Sequence, residues 1–77
     1  MINNRYGLPT TADETVEDLK SWVVTPKGNN VFEFKGLSSD ISVLPKLKNL
    51  TTGSTAYCAD TGDFYMYEST TMEWYEQ

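Results

Sequence analysis

The sequence predicts an α+β fold dominated by β structure, with one short N-terminal helix packed on a small antiparallel sheet that ends in a three-stranded meander. Three observations carry this expectation. Residues 53–77 alternate runs of β-forming residues with two turn clusters, Asp60-Thr61-Gly62-Asp63 and Ser69-Thr70-Thr71, the layout of three successive antiparallel strands. Six of the ten aromatic residues lie in that stretch, so the core is expected to be built on it. Upstream, Val16, Leu19, Trp22 and Val23 recur at spacings of three, three and one, an apolar stripe at helical period.

In chain order, residues 1–10 lack periodicity. Asn3-Asn4, Gly7 and Leu8-Pro9 oppose helix, yet Ile2, Tyr6 and Leu8 offer alternate apolar anchors. An extended arm that orders against a neighbouring surface is expected there; the alternative is a frayed terminus. Residues 11–77 are expected to form one small domain. Thr11-Ala12-Asp13-Glu14 reads as a capping box, and acids at 13, 14, 17 and 18 suit the first turns of a helix. That helix should run over about residues 12–22 and end in Val23-Val24-Thr25-Pro26, a β-branched run closed by proline.

Lys27-Gly28-Asn29-Asn30 is turn chemistry, and Val31-Phe32-Glu33-Phe34-Lys35 alternates as a strand with one buried face. Residues 36–40 read as a loop, and Ile41-Ser42-Val43-Leu44 as a short strand cut by Pro45. Leu47 and Leu50 tie the next connection to the core. Within the meander, Phe64, Met66 and Trp74 are assigned to the core face, together with Leu19, Trp22, Phe32 and Phe34. Tyr65 and Tyr67 then fall on the opposite side.

Composition bounds the function. A 77-residue chain with one cysteine and no histidine has no internal disulfide and no credible zinc site. Small scaffolds of this kind usually need a staple, which makes a partner subunit the expected source of added stability. The alternative is that the aromatics suffice for a stable monomer. A net charge of −5 opposes nucleic-acid binding, and no apolar stretch approaches the ~20 residues that span a bilayer. The N-terminus lacks the pattern of a secretion signal, and a lone thiol fits synthesis in a cytoplasm.

Catalysis finds no purchase. Cys58 and Ser38-Ser39-Asp40 have no histidine to activate them, so no catalytic residues are assigned. Asp60 and Asp63 do not have the spacing of a calcium loop, and no cofactor or metal is expected. What stands out is aromatic excess. Tyr57, Tyr65, Tyr67, Trp74 and Tyr75 exceed what a three-stranded sheet needs on one side, and tyrosine and tryptophan are enriched at protein interfaces. The expected interface therefore comprises Ile2, Tyr6, Leu8, Tyr57, Tyr65, Tyr67 and Tyr75.

The pattern G-S-T-A-x-x-x-D-T-G-D-x-Y-M-Y-x-x-x-x-x-x-W-Y, which runs from Gly53 to Tyr75, resembles the end segment of small virion proteins of tailed bacteriophages. The resemblance covers about a third of the chain and extends more loosely over Tyr6-Gly7-Leu8-Pro9 and the Trp22 region. It implies a non-enzymatic structural component of the virion, with a capsid decoration or auxiliary head protein as the leading expectation. A tail, neck or baseplate accessory is the runner-up, and a small inhibitor of a host protein the third. Implied partners are other virion proteins, the major capsid protein first, in a homo-oligomer or bound to the lattice. The implied location is the virion, after synthesis in the host cytoplasm.

Overall fold

A computed structural model describes residues 7–14, 16 and 18–77. Its frame is a five-stranded mixed sheet in the order β1-β2-β3-β4-β5: Val23–Gly28, Val31–Gly36, Thr55–Cys58, Phe64–Glu68 and Glu73–Glu76. β1 and β2 form an antiparallel hairpin, β3, β4 and β5 an antiparallel meander, and β2 joins β3 in parallel. A parallel neighbour requires a crossover of a dozen or more residues. Residues 37–54 supply it, opening with a 3₁₀ helix at Ser38–Val43.

The local chemistry explains these elements. Asn29 and Asn30 both take left-handed backbone, with φ 53° and 60°, the pair of conformations that a two-residue hairpin needs. Val23, Val24 and Thr25 are β-branched and favour extended backbone. Pro26 is tolerated because β1 lies at a sheet edge. In the β3–β4 hairpin, Gly62 sits at φ 80°, and its N–H donates to the Cys58 carbonyl at 2.7 Å.

The core lies on one face of the sheet. Phe32, Phe34, Ala56, Cys58 and Tyr67 point into it, and Leu8, Val16, Leu19 and Trp22 cover it from the N-terminal side. Leu44, Leu47 and Leu50 of the crossover complete the cover. Three polar anchors hold the cover down. The Trp22 indole N–H donates to the Asp40 carbonyl at 2.7 Å, the Trp74 indole N–H to the Pro45 carbonyl at 2.9 Å, and the Tyr67 hydroxyl to the Leu47 carbonyl at 2.6 Å.

Two expectations about the fold class are corrected. The helix over residues 12–22 is not formed: the described residues hold no helix longer than the six-residue 3₁₀ segment. Helices this short are marginal in water without tertiary support, and here tertiary contacts favour another path. Glu14 does reach back to the Thr11 N–H at 2.9 Å, as a capping box would, but its other oxygen accepts the Lys48 N–H at 2.9 Å. Lys20 adopts φ 54°, which ends any helical run. The stripe of Val16, Leu19 and Trp22 is buried by an irregular segment lying across the sheet.

The sheet is likewise mixed rather than antiparallel, and residues 41–43, expected as strand, belong to the 3₁₀ helix. The facing of β4 is inverted as well. Tyr67 is fully buried, whereas Phe64, assigned to the core, is 39% exposed and Met66 half-buried. The antiparallel pairing sets this facing: Ala56 lies opposite Tyr65 and Tyr57 opposite Phe64, so burying Ala56 and Cys58 carries Tyr65 and Tyr67 inward with them.

Candidate functional site

Much of the C-terminal sequence pattern is occupied in building the fold. Gly53 takes φ 104° and donates its N–H to the Tyr67 carbonyl at 3.1 Å. Ser54, fully buried, accepts the Phe32 N–H at 3.1 Å through its hydroxyl, which donates in turn to the Thr51 carbonyl at 2.9 Å. Asp60 clamps the start of the crossover: its carboxylate accepts the Ser38 N–H at 2.9 Å and the Ser38 hydroxyl at 2.7 Å. Those two bonds hold its carboxyl below the usual range. Asp63 accepts the Thr61 hydroxyl at 2.9 Å within the hairpin. Trp74 meets Phe34 edge-on, with ring centroids 5.5 Å apart, and tilts against Tyr67 at 5.1 Å, both favourable arrangements for aromatic pairs. These residues build the fold, and their polar atoms are occupied by it.

The surface left over is the sheet face turned away from the core. Two transverse rows of side chains cross it. Lys35, Tyr57 and Phe64 form one, through the pairings Lys35–Tyr57 and Tyr57–Phe64. Glu33, Thr55, Met66 and Tyr75 form the other. Tyr57, Phe64 and Tyr75 are 42%, 39% and 47% exposed, and Val23 at the β1 edge is exposed beside them. Among the described residues, the segments outside the sheet put their buried side chains on the opposite side. The result is an apolar and aromatic strip that runs from the central strand β3 to the edge strand β5 on the open face. Contiguous exposed patches of this kind mark interaction sites.

Charge brackets the strip. On the β1–β2 side, Lys27 and Lys35 both reach Glu33, at 3.7 and 3.5 Å. On the β4–β5 side stand Glu68 and Glu73; Glu73 meets Lys46 at 3.0 Å. Glu68 accepts the Thr71 N–H at 3.0 Å, which lowers its carboxyl pKa. A shallow hollow of about 160 Å³ opens beside the strip, lined by Met66, Glu68 and Tyr75 among others. A second, larger groove of about 450 Å³ lies between Val16, Asp18 and Lys20 on one side and residues 42–46 on the other.

The expected interface residues divide. Tyr57 and Tyr75 lie on the open face, while Tyr67 is buried and Tyr65 lies half-buried on the covered side. Burial raises the pKa of both these tyrosines. Leu8 is buried in the core, and Ile2 and Tyr6 lie outside the described residues. Phe64 and Met66 are the open-face residues that sequence reasoning missed. The signal that finds them is the small pair Ala56 and Cys58 on β3: these types are commonly buried, and hairpin pairing then turns Phe64 and Met66 outward.

Among the described residues, no group of three or more histidine, cysteine, aspartate or glutamate side chains is arranged to hold a metal. Cys58 is buried, and its thiol pKa is raised by that burial and by the nearby Asp63 and Asp60. No described helix is long and apolar enough to cross a membrane. No protein family, curated protein or solved structure matches the chain.

Proposed function

We propose that the protein is a non-enzymatic structural component of a tailed-bacteriophage virion, a decoration or auxiliary head protein that assembles through its open sheet face. The observation that carries the assembly role is the uncovered row of Tyr57 and Phe64, continued by Met66 and Tyr75. Exposed aromatics at the centre of a sheet are unfavourable for a free monomer and suit a contact that desolvates them. The virion assignment is supported by the likeness of the Gly53–Tyr75 pattern to end segments of phage virion proteins.

The test is quantitative mass spectrometry of purified particles. The capsid reading expects the protein in hundreds of copies per virion. Few copies point to the neck, tail or baseplate, and absence from the particle overturns the virion reading.

A further inference from the structure

We propose that the occupant of the open sheet face is a second copy of this chain, joined face to face about a two-fold axis parallel to β3. This deepens the reading of that face as an assembly surface and does not depend on where in a virion the protein sits. Three features of the face point to its own copy.

The first is symmetry of layout. The strands lie in sequence order with β3 at the centre. A two-fold axis along β3 therefore lays β1 over β5 and β2 over β4 of the other copy, with no strand overhanging. Tyr57 then meets its own counterpart near the axis, and Lys35 lies over Phe64 of the other copy. Such a cation over an aromatic ring is attractive. Two sheets packed this way keep their strands within about 30° of each other and about 10 Å apart, a spacing that aromatic side chains fill.

The second is charge. The bracketing charges on the two sides of β3 differ in net sign: Lys27 and Lys35 outweigh Glu33 on β1 and β2, and Glu68 and Glu73 stand on β4 and β5. One end row of the face runs from Lys27-Gly28 across Val31 to Glu68 and Glu73. The same two-fold operation sets Lys27 opposite Glu73 of the other copy, twice per dimer. Within the chain Lys27 pairs with Glu33 and Glu73 with Lys46 of the crossover, so these contacts compete with the pairs across the dimer. A face that is basic on one side and acidic on the other is complementary to itself.

The third is size. A standard interface takes about 800 Å² from each partner, roughly a sixth of the 4566 Å² that this chain exposes. Five strands about 4.8 Å apart, four to six residues long, give a footprint of roughly 400 Å² in projection, so the sheet face supplies about half of such an interface before side-chain relief is added. The chain has no disulfide to stabilise it, and pairing adds a second layer to a sheet that has cover on one side.

Sedimentation velocity and light scattering on the full chain, over a range of concentrations, test the proposal. The expected species has twice the 8.7 kDa chain mass. The Tyr57→Ser/Phe64→Ser double substitution is expected to give a monomer with an unchanged far-ultraviolet dichroism spectrum. Lys27→Glu should weaken dimerisation by roughly fivefold, since two exposed pairs become repulsive. Adding Glu73→Lys to the same chain should recover most of the loss. A wild-type chain that stays monomeric at millimolar concentration overturns the proposal, as does a dimer indifferent to Tyr57 and Phe64. Failure of Glu73→Lys to rescue Lys27→Glu rejects the axis. Should a monomeric chain still be found on particles, the face serves another virion protein; the second-copy assignment then fails while the virion reading stands.

Discussion

The Tyr67 hydroxyl donates a 2.6 Å hydrogen bond to the Leu47 carbonyl, joining the middle of β4 to the crossover beneath the sheet. It orients the whole strand: with Tyr67 turned inward, Phe64 and Met66 must face out. Tyr67→Phe keeps the ring and deletes the bond, leaving the Leu47 carbonyl with only the longer 3.3 Å bond from the Leu50 N–H. That change should cost about 0.5–1.5 kcal/mol, read as a lower denaturant midpoint at constant slope. An unchanged midpoint would mean that the bond contributes nothing.

Gly36 is a second pressure point. A Cβ placed there would come within 2.7 and 2.9 Å of the Trp22 ring. That ring is buried and held by its bond to the Asp40 carbonyl, so it has little room to yield. Gly36→Ala should destabilise the protein by about 1–3 kcal/mol through overpacking. A neutral result in thermal unfolding would show that Trp22 is free to shift.

Acid should weaken the fold in a defined way. Glu14 is held below its ordinary pKa by bonds from the Thr11 and Lys48 N–H groups, Asp60 by the Ser38 hydroxyl and N–H, and Glu68 by the Thr71 N–H. Because each folded pKa is depressed, the stabilisation is complete above the ordinary carboxylate range, near pH 4 to 4.5. It declines as pH falls through that range and is gone below the lowered folded values. Unfolding followed from pH 6 to pH 2 should show this loss, with a shallower slope in Glu14→Gln and Asp60→Asn. A rise in stability toward low pH would contradict the assignment.

Cys58 should resist alkylation in the native state. Burial and the neighbouring Asp63 and Asp60 disfavour its thiolate, the reactive form. Labelling by iodoacetamide should track global unfolding across a denaturant series. Rapid labelling of the folded chain would place Cys58 at the surface.

The parts of this fold legible in the sequence were those set by local chemistry. The alternation of Phe32 and Phe34, the Asn29-Asn30 turn and the Gly62 hairpin each follow from one residue's backbone or side-chain preference. The facing of β4 was not legible from that strand alone. Phe64 and Met66 are as apolar as Tyr65 and Tyr67, so alternation defines two faces without ranking them. The ranking comes from the partner strand, through Ala56 and Cys58, and from a carbonyl at Leu47 distant in sequence. The helix expected over residues 12–22 failed for a related reason. Val16, Leu19 and Trp22 of its apolar stripe are buried and Val23 is exposed, and Glu14 bonds to Lys48 and Ser21 to Asp40, long-range partners that a local period does not reveal. The parallel pairing of β2 with β3 rests on a crossover whose 3₁₀ turn and Pro45 carry no strong periodic signal. Of the open sheet face, Tyr57 and Tyr75 were legible as surplus aromatics, and Phe64 was hidden by the inverted facing.

The account turns on which side of the sheet faces outward, and a paired unfolding experiment tests that most directly. Phe64→Ser and Tyr67→Ser are compared with the wild type by chemical denaturation, at concentrations where the chain is monomeric. Phe64→Ser should lose about 1 kcal/mol, the scale of one cross-strand aromatic pair on a partly exposed face. Tyr67→Ser should lose about 3–5 kcal/mol, as for removal of a buried aromatic ring, enough to unfold a domain of this size. The opposite order, with Phe64→Ser crippled and Tyr67→Ser intact, would mean that the tyrosine face is the exposed one.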